Sequence, residues 1–253
     1  MTATAFPEFW ALAPMAALVF GVLALAPLGE QVLARGVVFV DLAVAQAGAA
    51  AELWMTALVD HPDWLATQMA AVTGALVCVG VVAFSVRHWP AQREAPIGLV
   101  YVAGAGAALL GAQQDPHGRE RMAELLAADV LWAGWPQVAA LAACAVLVRA
   151  AGRRLARDVF FYPVFALTAA AAVQILGLFV VLAALIAPAL WRQADAPRSL
   201  ALGGAVGACA AGLAASWAFD VSSGACAALS LAAFGWLSAI RRGLGNQVNR
   251  SPD

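Results

Sequence analysis

The sequence predicts an all-α polytopic membrane protein with eight to nine membrane helical segments, one of them a broken helix or hairpin over 159–191. Three observations carry this. Of 253 residues, 64% are hydrophobic and 11% charged, where soluble domains hold roughly 45–50% and about 25%. Apolar runs recur along the chain at about 20 residues, the length that crosses about 30 Å of hydrocarbon. The connections between them are short, so 1–253 reads as a single transmembrane domain. The same balance excludes an ordinary soluble domain, a disordered chain and a nucleic-acid binder with a basic face.

The first segment runs from about Trp10 to Leu28. No basic stretch precedes it and Glu8 stands there instead, so it reads as a span rather than a cleaved signal peptide. The second, Gly36 to Val59, holds Asp41 and, further along, Glu52. The third and fourth are Leu65 to Val86 and Pro96 to Leu110, and the fifth is about Val130 to Val148. Val159 to Trp191 carries no charge over 33 residues. A straight helix of that length would be about 50 Å long, too long for one crossing. Two helical pieces, joined near Gln174 or Gly177, account for it, either as two short spans or as a re-entrant hairpin. Pro188 reads as a helix break. The last two segments are Leu200 to Phe219 and Ala225 to Ile240. Asp220, Ser222, Ser223 and Gly224 read as a tight turn between them, with Gly224 supplying a positive φ.

The arginines test the hairpin. All 14 basic residues are Arg, and cytoplasmic loops concentrate them. Two pieces in 159–191 put Arg35, Arg87, Arg93, Arg149, Arg153, Arg154, Arg157, Arg192, Arg198, Arg241, Arg242 and Arg250 on one side, with Arg119 and Arg121 on the other. One span would instead split the arginines evenly. The hairpin therefore predicts an external N-terminus and a cytoplasmic C-terminus.

Chemistry in such a chain is read from its few polar residues. Asp41, inside an apolar helix, either pairs with Arg35 near the surface or lines a polar path. Gln46 follows five residues on, and Gln174 lies in the suspected break. Asp60, His61 and Asp63 form one acidic-imidazole cluster on a short external loop. His117 and Glu120 form another, on one face if that loop is helical. Carboxylate and imidazole suit Zn²⁺ or Mn²⁺, and they also serve simply as solvated loop residues. Arg149, Arg153, Arg154 and Arg157 hold their loop inside, contact a cytoplasmic partner, or both. Cys78, Cys144, Cys209 and Cys226 lie far apart in apolar runs and read as small core residues. The chain has no lysine, no Ser-His-Asp set, no HExxH and no Walker motif, which speaks against an intramembrane enzyme.

Several segments, in order, resemble the permease subunits of zinc/manganese-type ABC importers, over roughly Leu28 to Arg241. Leu33 to Gln46 is similar to the family's entrance into its second helix. Arg93 to Tyr101 is similar to Gln-Glu-Ala-x-Ile-Gly-x-x-Tyr. Pro116 to Glu120, with Glu124-Leu125-Leu126, resembles the loop before the fifth segment in one branch. Asp158 to Tyr162, Gly177 to Val181 and Ile186 to Ala189 are similar to Asp-x-Leu-Phe-Tyr, Gly-Val-Leu-Leu-Val and Leu-Ile-x-Pro-Ala. Phe219 to Gly224 is similar to the Asp-Leu-Pro-Ser-Gly turn.

The resemblance implies a metal permease in a bacterial inner membrane, working as a homodimer by alternating access. It implies a cytoplasmic ATP-binding subunit, coupled through Arg149, Arg153, Arg154 and Arg157, and an extracytoplasmic metal-binding protein. Zinc or manganese is then the cargo, no cofactor is held covalently, and ATP is hydrolysed by the partner, so this chain is not an enzyme. Asp41, Gln46 and Gln174 become path residues. Asp60, His61, Asp63, His117 and Glu120 become the external metal entrance. Glu94, Gly177, Pro188, Asp220 and Gly224 become structural positions. Two departures stand out. The family's Asp and His, four apart on the second helix, fall on Leu42 and Gln46, and the cytoplasmic loop before Asp158 is short. A non-transporting membrane scaffold derived from the family is the alternative reading.

Overall fold

The structure, a computed structural model, describes residues 11–37, 39–59, 62–88 and 94–248. Ten α-helices follow one another: α1 Leu12–Arg35, α2 Val40–Leu58, α3 Trp64–His88, α4 Glu94–Gln114, α5 Gly118–Leu126, α6 Trp135–Ala151, α7 Asp158–Leu176, α8 Leu178–Gln193, α9 Arg198–Phe219 and α10 Ser223–Val248. Two 3-10 turns, Val130–Trp132 and Gly152–Ala156, flank α6. No strand occurs among the described residues. Helices α1, α3, α4, α7 and α9 are long and apolar enough to cross a membrane, while α8 and the apolar part of α10 are shorter.

The helices form one bundle with two distinct ends. α2 lies against α3 and α4, α8 against α1 and α10, and α7 bridges to α3. Phe161, Phe165, Leu25, Leu28, Leu141 and Leu185 are fully buried between them. Lipid is as apolar as leucine, so close fit and small residues hold such a bundle together rather than escape from water. Gly29 shows the principle: any side chain there would run into the backbone carbonyl of Leu185, so glycine lets α1 and α8 touch.

The stretch 159–191 is a hairpin of two antiparallel helices. Its start is fixed by Asp158, whose Oδ1 accepts from Arg35 Nε at 3.0 Å. Its finish is fixed by Arg192, 3.7 Å from Glu30. Arg35 and Glu30 both belong to the last turns of α1, so both feet of the hairpin stand at one end, the arginine end. The tip is Gly177, with φ 79° and ψ 156°, a backbone conformation essentially confined to glycine. A Cβ there would come within 2.5 Å of Ala128 N, which places the tip at the opposite, far end.

Several sequence expectations change. Pro188 breaks nothing: α8 runs through it to Gln193, and the chain turns only at Asp195, φ 55°. In the turn between α9 and α10 the left-handed residue is Asp220, φ 51° and ψ 50°, a conformation aspartate tolerates. Gly224 lies instead inside α10, where its missing side chain admits the backbone of Ala128. The fifth segment starts late, at Trp135, because Gly134 and Pro136 set a new helix start. The connection 113–129 holds a helix of its own, α5.

Candidate functional site

Two acids and one amide, Asp41, Glu52 and Gln46, punctuate the largely apolar α2. Asp41 stands in its first turn, 2% exposed, where the helix dipole favours a negative charge. Its Oδ1 accepts from Leu42 N at 2.8 Å, and its Oδ2 has no partner. The pairing with Arg35 does not form. That guanidinium is taken by Asp158, by Gln31 Oε1 at 2.8 Å and by the Leu155 carbonyl at 2.8 Å, and it stacks on Phe161.

Gln46 is 6% exposed and its Oε1 also lacks a partner. It lines a void of about 10 Å³ with Ala45, Ala49, Met122, Leu125, Leu126, Val173 and Leu178, about the room one water molecule needs. Leu42, four residues earlier and so on nearly the same face, lines an apolar groove between the start of α2, α8 and α10. Asp41 and Gln46 are five apart, about 140° around the helix, and share no cavity.

Glu52 is the residue that sequence reasoning left out of the site. Ala45, Ala49 and Glu52 follow the i, i+4, i+7 pattern of one face, so Glu52 stands above the Gln46 void. Its Oε2 accepts from Gln174 Nε2 at 2.8 Å, joining α2 to α7. Both open into a polar cavity of about 690 Å³ at the far end, whose lining also includes His117, Glu120, Arg121, Glu124 and Asp129. The i+7 spacing was the available signal. What the sequence could not give was the pairing of Glu52 with Gln174, 122 residues away.

α5 separates the two spaces. Leu125 lines both the polar cavity and the Gln46 void. Together with Met122 it lies against Ala49, Ala50, Leu53, Ala108 and Ala112 of α2 and α4. Met122, Leu125 and Leu126 recur at helical spacing with Glu120 and Glu124 on the opposite face, an amphipathic pattern. Arg121 is tied to Asp115 at 3.3 Å. Asp129 accepts from Ser223 Oγ at 2.6 Å.

The other polar residues singled out in the sequence scatter. His117 and Glu120 reach the polar cavity, although His117 precedes α5 rather than lying in it. Asp63 caps α3, its Oδ1 accepting from Ala66 N at 2.8 Å; Asp60 and His61 lie outside the described residues. Arg149 and Arg153 line a cavity beside α1 and α9 that does not include Arg154 or Arg157. Glu94 is exposed in the first turn of α4. Among the described residues no group of three or more His, Cys, Asp or Glu is arranged to hold a metal ion.

Residues 150–242 match the ABC 3 transport family. No curated protein matches the chain. Among solved structures, the fold is similar to that of PsaBC from Streptococcus pneumoniae in complex with Fab, with a TM-score of 0.70 and 15% identity over 92% of this chain and 91% of that one. The family match takes in the turn before α7, the hairpin and α9–α10, where the last motifs of the resemblance lie. Sequence and fold together define the class: an all-α membrane protein whose residues 150–242 are similar to the ABC 3 transport family.

Proposed function

We propose that this chain is the membrane permease of a binding-protein-dependent ABC importer for a divalent metal ion, zinc or manganese. The observation that supports it best is the Gln46 carbonyl, buried and unpaired in a void beneath the far-end polar cavity. Glu52 and Gln174 stand on the route above it. Ionisable and polar groups at membrane depth are costly and usually line such routes. With the arginine end cytoplasmic, the cavity faces outward and receives metal from an external binding protein.

The cargo is handled by oxygen atoms. Glu52 offers the anionic oxygen, while Gln174 and Gln46 offer amide carbonyls. Such a set holds a hard or borderline cation loosely, which suits a conduit that must release what it takes up. Asp41, near the arginine end, is the last acid before the cytoplasm. Two copies of the chain enclose the path. The groove of α2, α8 and α10 supports that pairing, because Ala225, Ala228, Ala232 and Gly235 line it, and small residues at this spacing let helices meet closely in lipid. A partner ATPase, seated on the arginine end, drives the two copies between outward and inward openings.

The test is metal-stimulated ATPase activity in proteoliposomes holding this chain, its ATPase and its binding protein, with Zn²⁺ and Mn²⁺ tried separately. One metal should raise the rate in the wild type, and Asp41→Ala should abolish that rise. An assembled complex whose rate ignores both metals would instead mark the chain as a non-transporting scaffold.

A further inference from the structure

A second cavity, of about 730 Å³, opens between α1, α6 and α9 at the arginine end. Its rim carries Arg149 from the last turn of α6, Arg153 from the 3-10 turn and Arg198 from the start of α9. None of the three makes an ion pair or a side-chain hydrogen bond among the described residues. The one acid on the rim, Glu30, is taken up by Arg192 at 3.7 Å. Three guanidinium groups are therefore left uncompensated around one opening.

The wall below the rim is apolar. Val146 of α6 is 68% exposed and Leu23 of α1 39%, and Phe20, Ala142 and Leu202 continue the surface. Ala142 lies seven residues from Arg149, about 10 Å down the helix. The cavity thus runs from the level of lipid headgroups into the hydrocarbon layer and opens sideways towards it. A positive rim above an apolar slot matches one molecule in its surroundings, a phospholipid with a net negative headgroup.

We infer that this cavity is a binding site for one anionic phospholipid, its phosphate oxygens held by Arg149, Arg153 and Arg198 and an acyl chain laid along α6. Arginine suits this because its planar fork binds phosphate oxygens in pairs. Basic pockets between membrane helices on the cytoplasmic side recognise anionic headgroups in this way. A soluble ATPase would have no use for the apolar slot. The basic segment then serves two ligands. Arg149 and Arg153 hold the lipid, and Arg154 and Arg157, outside the cavity, remain for a protein partner.

Native mass spectrometry of the full chain in detergent tests this, with palmitoyl-oleoyl phosphatidylglycerol and the matching phosphatidylcholine as probes. The wild type should retain phosphatidylglycerol at least about tenfold better than phosphatidylcholine, the factor that about 1.4 kcal/mol of preference gives. The triple variant Arg149→Gln, Arg153→Gln, Arg198→Gln should lose that preference. Val146→Trp, which fills the slot and keeps the charges, should lose it too, and Arg154→Gln with Arg157→Gln should keep it. Equal retention of both lipids, or retention unchanged by the triple variant, would overturn the site. Displacement of the lipid by millimolar inorganic phosphate would overturn it in favour of a simple anion site. Loss of lipid only in the Arg154 and Arg157 variant would overturn it by moving the contact to the surface reserved for the partner.

Discussion

Glu52 and Asp41 are both acids on α2, yet they stand in different situations. Glu52 has a partner, Gln174, and a cavity to face. Replacing it by Ala strips that amide of its acceptor at a cost of about 1 kcal/mol, so the chain should still fold. On the proposed route, metal-dependent transport should fall at least about tenfold in the same proteoliposomes, and transport left at the wild-type level would remove Glu52 from that route. Asp41 has one carboxylate oxygen without a partner. Asp41→Asn removes a buried charge and should leave the melting temperature equal or higher while lowering transport; a marked fall in melting temperature would make Asp41 a structural residue. At Gly177, substitution by Ala forces a side chain into a positive-φ conformation and a collision with Ala128. A loss of about 1–3 kcal/mol is expected, read as a lower thermal midpoint.

At the scale of elements, hydropathy made the long helices legible, and the arginine count made the hairpin legible, because both depend on where charge can sit in a bilayer. What stayed hidden depended on contacts between distant segments. Pro188 looks like a break, but α8 continues through it, held by α1 and α10 on either side. Gly224 looks like a turn glycine, but Asp220 takes the turn and Gly224 admits Ala128. The role of α5 was hidden because nine residues of mixed polarity read as a surface connection. Its apolar face acquires meaning only once Leu125 is seen between two cavities. Leu125→Ala should therefore join those cavities and raise metal leak in the absence of ATP, whereas Leu125→Trp should slow uptake. Identical rates in both variants would show that α5 does not stand in the route.

For the whole molecule, the antiparallel hairpin makes a topological prediction. In a background with the native cysteines removed, single cysteines at Arg157 and Gln193 should react with an impermeant thiol reagent from the same side of the membrane. A cysteine at Phe219 should react from the other side. Labelling of Arg157 and Gln193 from opposite sides would contradict the hairpin and with it the sidedness of both cavities. The arginines alone told the two ends of the bundle apart in the sequence. They could not show which of them look into a cavity, since Arg149, Arg153, Arg154 and Arg157 differ only in where the end of α6 and the 3-10 turn aim them.

The short link Ala127–Asp129 is held from two directions. The hairpin tip at Gly177 touches it, and α10 grips it through Gly224 and through the Ser223 hydroxyl on Asp129. It is also the tether by which α5 hangs. Under the proposed alternating access, these contacts would act like a pawl on a ratchet wheel: a tilt of α7, α8 and α10 would draw the tether along and swing Leu125. Ser223→Ala would cut the hydroxyl hold on Asp129 while leaving the close approach at Gly224 in place, and should lower metal-stimulated ATPase activity.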